Sequence, residues 1–228
     1  MFRGRRLRYS DAEGFAHSLV EIYRQQVYLF DDRTGSPHII DAGANIGLSV
    51  LYFKDRFPRA SVVAYEPDEE IFDMLADNVG QLPDVTLHRA AAWIADTELT
   101  FYRERSLAGS VAADFDGRGD KVKVPAVRLR DEITKRRVTF LKIDIEGAEN
   151  EVLFDIADVL DNVERLFFEY HSVAGDRQRL GQLLNLVTER GFRFVINGTH
   201  GPGLPFVESA RFGFDLQCNV FCYRNLPN

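Results

Sequence analysis

Short apolar runs alternate along the chain with stretches in which apolar residues recur every three or four positions. His38, Ile39, Ile40 and Asp41 read as a short buried strand, and Leu48, Leu51 and Tyr52 mark a helix after it. Ser61 to Tyr65 is a second strand, and Ile71, Leu75 and Val79, with Phe72 and Met74, give a second amphipathic helix. Val85 to Leu87 is a third strand. Residues 97–128 break the rhythm, with Glu98–Arg103 and Lys121–Val127 predicted as strands around a Gly/Asp-rich loop. Val138 to Ile143 resumes it, followed by one helix through Ala148, Val152, Ile156 and Leu160, then a strand from Val163 to Phe168. A helix with Leu180, Leu183, Leu184 and Val187 and strands near 192–196 and 216–223 close the pattern. Before it, Phe15, Leu19, Ile22 and Tyr23 form a helical stripe over 11–25, and Ser10 with Glu13 has capping-box spacing. Strands alternating with amphipathic helices predict an α/β, doubly wound, mostly parallel sheet covered on both faces. The division expected is a helical extension over 1–30 and one domain over 31–228.

Composition narrows the partners. A formal charge of −7 over 228 residues argues against a nucleic-acid backbone as the ligand. The basic run Arg3, Arg5, Arg6 and Arg8 reads as a solvated end. No apolar stretch is long enough for a membrane span, no secretory core is evident, and the expectation is a cytoplasmic protein. Cys218 and Cys222 lie four apart in a predicted strand. At about 3.3 Å per residue they are roughly 13 Å apart, too far for a disulfide.

In open α/β sheets, ligands bind beyond the carboxyl ends of the strands where strand order reverses. The first strand ends in Asp41-Ala42-Gly43-Ala44-Asn45-Ile46-Gly47, a turn that lets backbone approach a ligand closely. The second ends in Glu66, whose carboxylate can accept both hydroxyls of a ribose. Asp68 and Glu69 read as a helix cap and a dipole partner. The Gly-x-x-x-Gly spacing is not the pyrophosphate fingerprint. Asp41 places a negative charge where a phosphate would lie, and that charge suits a ligand bearing an ammonium group. S-adenosyl-L-methionine, with a ribose, an amino-acid end and no phosphate, fits best.

Three segments together carry a family resemblance: Ile39 to Gly47, Tyr65-Glu66-Pro67-Asp68, and Leu141-Lys142-Ile143-Asp144-Ile145-Glu146-Gly147-Ala148-Glu149. With Glu169-Tyr170-His171 closing the fifth strand, the chain resembles the FkbM-type methyltransferases over about 38–196. The resemblance implies a seven-stranded Rossmann-like sheet with its last strand antiparallel. It also implies methyl transfer from S-adenosyl-L-methionine to oxygen on a sugar, glycan or polyketide-type metabolite. By the same resemblance, Asp41, Gly43, Asn45, Gly47 and Glu66 hold the cofactor, and Ala91 borders the adenine.

The remaining candidates come from the strand ends. Asp144 sits where transferred groups are faced and is counted with both the cofactor and the catalytic residues. Glu146 reads either as an active-site carboxylate or as a cap at Gly147, and Glu149 as either a site residue or a dipole partner. Lys142, inside an apolar strand, is expected to snorkel. His171 is the candidate general base, oriented by Glu169. His17, His38 and His88 read as ordinary helix or strand positions. His200, in the Gly/Pro-rich stretch Asn197 to Pro205, is a candidate lid residue, and Phe192, Phe194, Phe206, Phe212 and Phe214 read as core. Catalysis without a metal is expected; a Mg²⁺-assisted reaction using Asp144 and an N-methyltransferase remain as alternatives.

Overall fold

The computed structural model describes residues 2–103, 120–204, 206–208 and 214–224. The predicted Gly/Asp-rich loop falls largely, and Phe212 wholly, outside them. Strands β1 (His38–Ala42), β2 (Ser61–Tyr65) and β3 (Val85–His88) alternate with helices α2 (Leu48–Arg56) and α3 (Glu69–Val79), after an N-terminal helix α1 (Ala12–Leu19). Next come β4 (Ala91–Trp93), β5 (Thr97–Arg103), β6 (Asp120–Arg128) and α4 (Leu129–Lys135). The chain continues through β7 (Phe140–Ile143), α5 (Glu149–Asp155), β8 (Arg165–Val173), α6 (Leu180–Glu189), β9 (Arg193–His200) and β10 (Phe214–Tyr223).

Seven strands form one sheet in the order β3-β2-β1-β7-β8-β10-β9, with β10 antiparallel to both its neighbours. The remaining pairs are parallel. The expected class and the antiparallel last strand are therefore both present. Successive residues of a strand point to opposite faces: Ile39, Phe140 and Phe167 join the core under α2 and α3, whereas Ile40, Leu141, Leu166 and Phe168 join the core shared with α5 and α6. Strands buried on both sides cannot alternate apolar with polar, and this is why they read as continuous apolar runs.

Local structure departs from the sequence expectation in several places. The first helix is capped by Asp11, which accepts from the backbone N–H groups of Glu13 and Gly14, rather than by Ser10. It is α-helical only to Leu19 and continues as a π turn over Val20–Arg24. The helix predicted through Leu160 is divided into α5 and a 3₁₀ segment, Ala157–Asn162. β4 and α4 were not anticipated. They flank the interrupted region on either side, and β4 joins β5 and β6 in a separate three-stranded sheet. Both cysteines are buried free thiols. Among the described residues no helix is long and apolar enough to cross a membrane.

Candidate active site

Strand order reverses between β1, paired with β2 on one side, and β7 on the other. The turn after β1 is shaped by backbone conformations that few residues tolerate. Gly43 has φ +85°, and a Cβ there would stand 1.8 Å from the carbonyl oxygen of Asp144. The close approach leaves room only for glycine, and the Asp144 N–H donates to the Ala42 carbonyl at 3.1 Å across the ends of β1 and β7. Gly47, at φ +92°, opens α2, and a Cβ on it would meet Leu75 Cδ1 at 2.8 Å. Asn45, also left-handed at φ +49°, accepts from the N–H of Ile46 through its own side chain.

Lys142 organises the floor of the site. It is the lateral partner of Asp41 in the β1–β7 register. Its ammonium lies 3.3 Å from Asp41 and 3.1 Å from Asp144 and donates to the carbonyl of Gly43 at 2.9 Å. Lys142 is 2% exposed, so it does not snorkel. Asp41 is fully buried and also accepts from the Ser49 hydroxyl. The ammonium expected opposite Asp41 is therefore supplied by Lys142, and Asp41 supports the turn from behind. Burial would raise the Asp144 carboxyl, but Lys142, His171 and hydrogen bonding outweigh it and hold the group below its usual range.

Glu66 is buried at the end of β2, where its two oxygens accept from the backbone N–H groups of Asn45 (3.1 Å) and Asp68 (2.9 Å). Burial pushes its carboxyl up to about 7. Asp68 caps α3 as expected, accepting from Glu70 and Ile71. Ala91 lies in β4, buried in the small cluster with Phe101, Val124 and Ala126.

The loop from Asp144 to Ala148 bends through left-handed Glu146 and Gly147. Glu149, wholly buried at the start of α5, accepts from the N–H groups of Ile145 and Gly147 and pairs with Nδ1 of His171 at 3.2 Å. The carboxylate that orients His171 is thus Glu149, not Glu169. The other ring nitrogen lies 3.3 Å from Glu146 but in no hydrogen bond. Burial opposes a charge on His171, yet Glu149, Glu146 and Glu169 raise its pKa well above the usual histidine range. Glu169 accepts from Gln217 and is hydrogen-bonded with Asp144; burial and the Asp144 charge push it up to about 9. One ligating atom each from Asp144, Glu169 and His171 lie within 4.8 Å of one another.

A cavity of about 370 Å³ opens here, walled by Gly43, Asn45, Asp144, Glu146 and Glu169 and, from the N-terminal segment, by Phe15 and Glu21. Its acid-rich lining suits a ligand carrying sulfonium and ammonium charges. His17 and His200 also line it. His38 is buried in β1, and His88 stacks on Tyr65. Of the described C-terminal phenylalanines, Phe192 is core, Phe214 packs on His171, Phe194 is surface-exposed and Phe206 stands fully in solvent.

A strand-order reversal carrying a glycine turn, a strand-end acid and no phosphate loop defines a nucleoside-binding sheet of the methyltransferase type. The fold is shared with a precorrin-6y C5,15-methyltransferase structure from Geobacter metallireducens (TM-score 0.50, 11% identity, 91% of this chain and 88% of that one). The model of the "Methyltransferase FkbM domain" matches residues 41–194. Methyltransferase sdnD of Sordaria araneosa is 28% identical over 209 residues, covering 75% of this chain and 80% of its own. The 31-O-demethyl-FK506 methyltransferase FkbM of Streptomyces tacrolimicus is 26% identical over 219 residues, covering 77% and 80%. The chain belongs to the FkbM methyltransferase family and is a methyltransferase. Family and fold imply S-adenosylmethionine as the methyl donor.

Proposed function

We propose that the chain methylates a hydroxyl group on a small metabolite or glycan. The observation that carries this reading is His171, whose Nδ1 is held by buried Glu149 while Nε2, 3.3 Å from Glu146, makes no hydrogen bond among the described residues. A hydroxyl must lose its proton to be methylated, and an imidazole oriented by a carboxylate is suited to take it. The FkbM relative from Streptomyces tacrolimicus, named for a 31-O-demethyl compound, supports an oxygen acceptor.

S-adenosylmethionine supplies an electrophilic methyl group on a sulfonium. In this reading Gly43, Asn45 and Gly47 shape the turn around it, Glu66 accepts from its ribose, and Ala91 stands on the adenine side. Asp144, kept anionic by Lys142, faces the cationic donor together with Glu146, while Asp41 holds Lys142. Bound there, the donor would give its methyl group to the acceptor oxygen and leave as the thioether, and Nε2 of His171 would take the hydroxyl proton. Holding both molecules in line contributes several kcal/mol, about what orientation supplies elsewhere. Against burial, Glu149 and Glu146 raise the His171 pKa and favour its protonated form, which must lose its proton before the ring can serve as base.

Calorimetry with S-adenosylhomocysteine tests the cofactor half of the reading, and absence of heat refutes it. Transfer of labelled methyl to a panel of matched alcohols and amines tests the other half. Label recovered on alcohols is expected, and label confined to amines overturns O-methylation.

A further inference from the structure

A second cavity, of about 430 Å³, lies beside the first at the same loop: Gly147 and Ala148 line it, whereas Glu146 lines the other. His171 lies at the junction, lining the second cavity while contacting Glu146 of the first. The walls are chemically specific. Trp93, at the end of β4, is the only tryptophan of the chain. Ser172 is 3% exposed and its hydroxyl has no partner among the described residues; the side-chain oxygen of Asn150 is likewise buried and unpaired among them. Buried polar atoms are normally hydrogen-bonded, so unpaired ones on a cavity wall point to a ligand that satisfies them. Arg177 and Arg179 face Asp176 and Glu151 around the rim, and Arg179 pairs with Glu151 at 3.6 Å. The four rim charges balance, and a charge on His171 is met by Glu149 and Glu146, which favours neither an anion nor a cation. What remains is an indole side chain with interspersed donors and acceptors.

We infer that this second cavity seats an uncharged, polyhydroxylated ring of the methyl acceptor, with Trp93 as its platform and Ser172 and Asn150 as its hydrogen-bonding partners. The inference rests on the proposed O-methylation and gives its acceptor a place: ring in the second cavity, donor at the turn after β1, His171 between. Hydroxyls of such a ring both donate and accept, matching Asn150, Ser172 and the rim pairs. An indole covers the apolar C–H face of a ring while its polar edge stays free.

The test uses the fluorescence of Trp93 in the full chain loaded with S-adenosylhomocysteine. Methyl glycosides and inositol are titrated against glucuronate and glucosamine. The uncharged rings should change the emission saturably, with both charged sugars weaker by about tenfold. Ser172→Ala should weaken the uncharged rings by a further factor of about ten, while S-adenosylhomocysteine binds it as it binds the parent. That second measurement separates a lost hydrogen bond from a lost fold. If S-adenosylhomocysteine binds but no uncharged ring alters the emission, or charged and uncharged rings act alike, the inference fails while the methyltransferase reading stands. A Ser172→Ala protein with undiminished ring affinity also overturns it.

Discussion

Replacing Lys142 with methionine removes one ammonium and little volume, and the structure sets the size of the effect. The nitrogen is nearly inaccessible and serves Asp41, Asp144 and the Gly43 carbonyl at once. Asp41 is fully buried, and among the charged groups of the described residues only Lys142 lies within ion-pair distance of it. Removing one partner of a buried pair leaves the other charge uncompensated and costs about 3–5 kcal/mol. Against a total stability of about 5–15 kcal/mol this is a large fraction. At about 2–4 °C per kcal/mol for a domain of this size, the midpoint should fall by roughly 6–20 °C. The sign with pH follows from the two shifts. The Lys142 pKa is raised, so its contribution is full below its ordinary 10.5 and is lost only as pH rises through the higher folded value. Asp144 is lowered, so its contribution holds above its ordinary 3.8 and is lost as pH falls through the lower folded value. The deficit of Lys142→Met should therefore be level across neutral pH and shrink in acid. Denaturant unfolding of the two single variants and of Lys142→Met with Asp41→Asn measures the coupling directly. The double variant should recover about 2 kcal/mol relative to Lys142→Met, since an orphaned charge is removed with its partner. Strict additivity, or a loss below about 1 kcal/mol for Lys142→Met, would refute the buried-pair reasoning.

Three further outcomes are expected. Glu66 has a folded pKa raised to about 7, and its ionised form is the better acceptor for ribose hydroxyls, so affinity for S-adenosylhomocysteine should rise as pH passes upward through neutrality. Calorimetry below and above that point should show the rise in the parent and a flat, weaker response in Glu66→Gln; identical profiles remove Glu66 from the ribose. His171→Ala should lower turnover by about 10²–10⁴ with cofactor affinity unchanged, and the parent rate should climb on the alkaline side because the raised His171 pKa delays formation of the base; equal loss of binding and turnover counts against that role. Although Asp144, Glu169 and His171 are grouped closely enough to hold an ion, activity should persist after dialysis against a chelator, and loss restored by Mg²⁺ or Mn²⁺ would reassign the trio as ligands.

The sheet was legible in the sequence because strands buried on both faces must be apolar throughout, and intervening helices must carry one apolar stripe. Gly43 and Gly47 were legible for a similar reason: left-handed backbone at a strand end demands glycine. β4 and α4, at the two edges of the interrupted region, were hidden because each is short and its place is settled by tertiary packing, β4 in the small second sheet and α4 through Leu129 and Ile133 in the main core. Lys142, Glu149 and the pairing of His171 were beyond sequence reasoning. Asp41 and Lys142 are 101 positions apart and become neighbours only because β1 pairs with β7. Glu149 reaches His171 only because the loop at Glu146 and Gly147 turns through left-handed backbone. Composition and spacing fix which groups a chain possesses and how each segment folds locally. Strand order decides which charges are brought together away from water, and burial then decides which of them carry a proton.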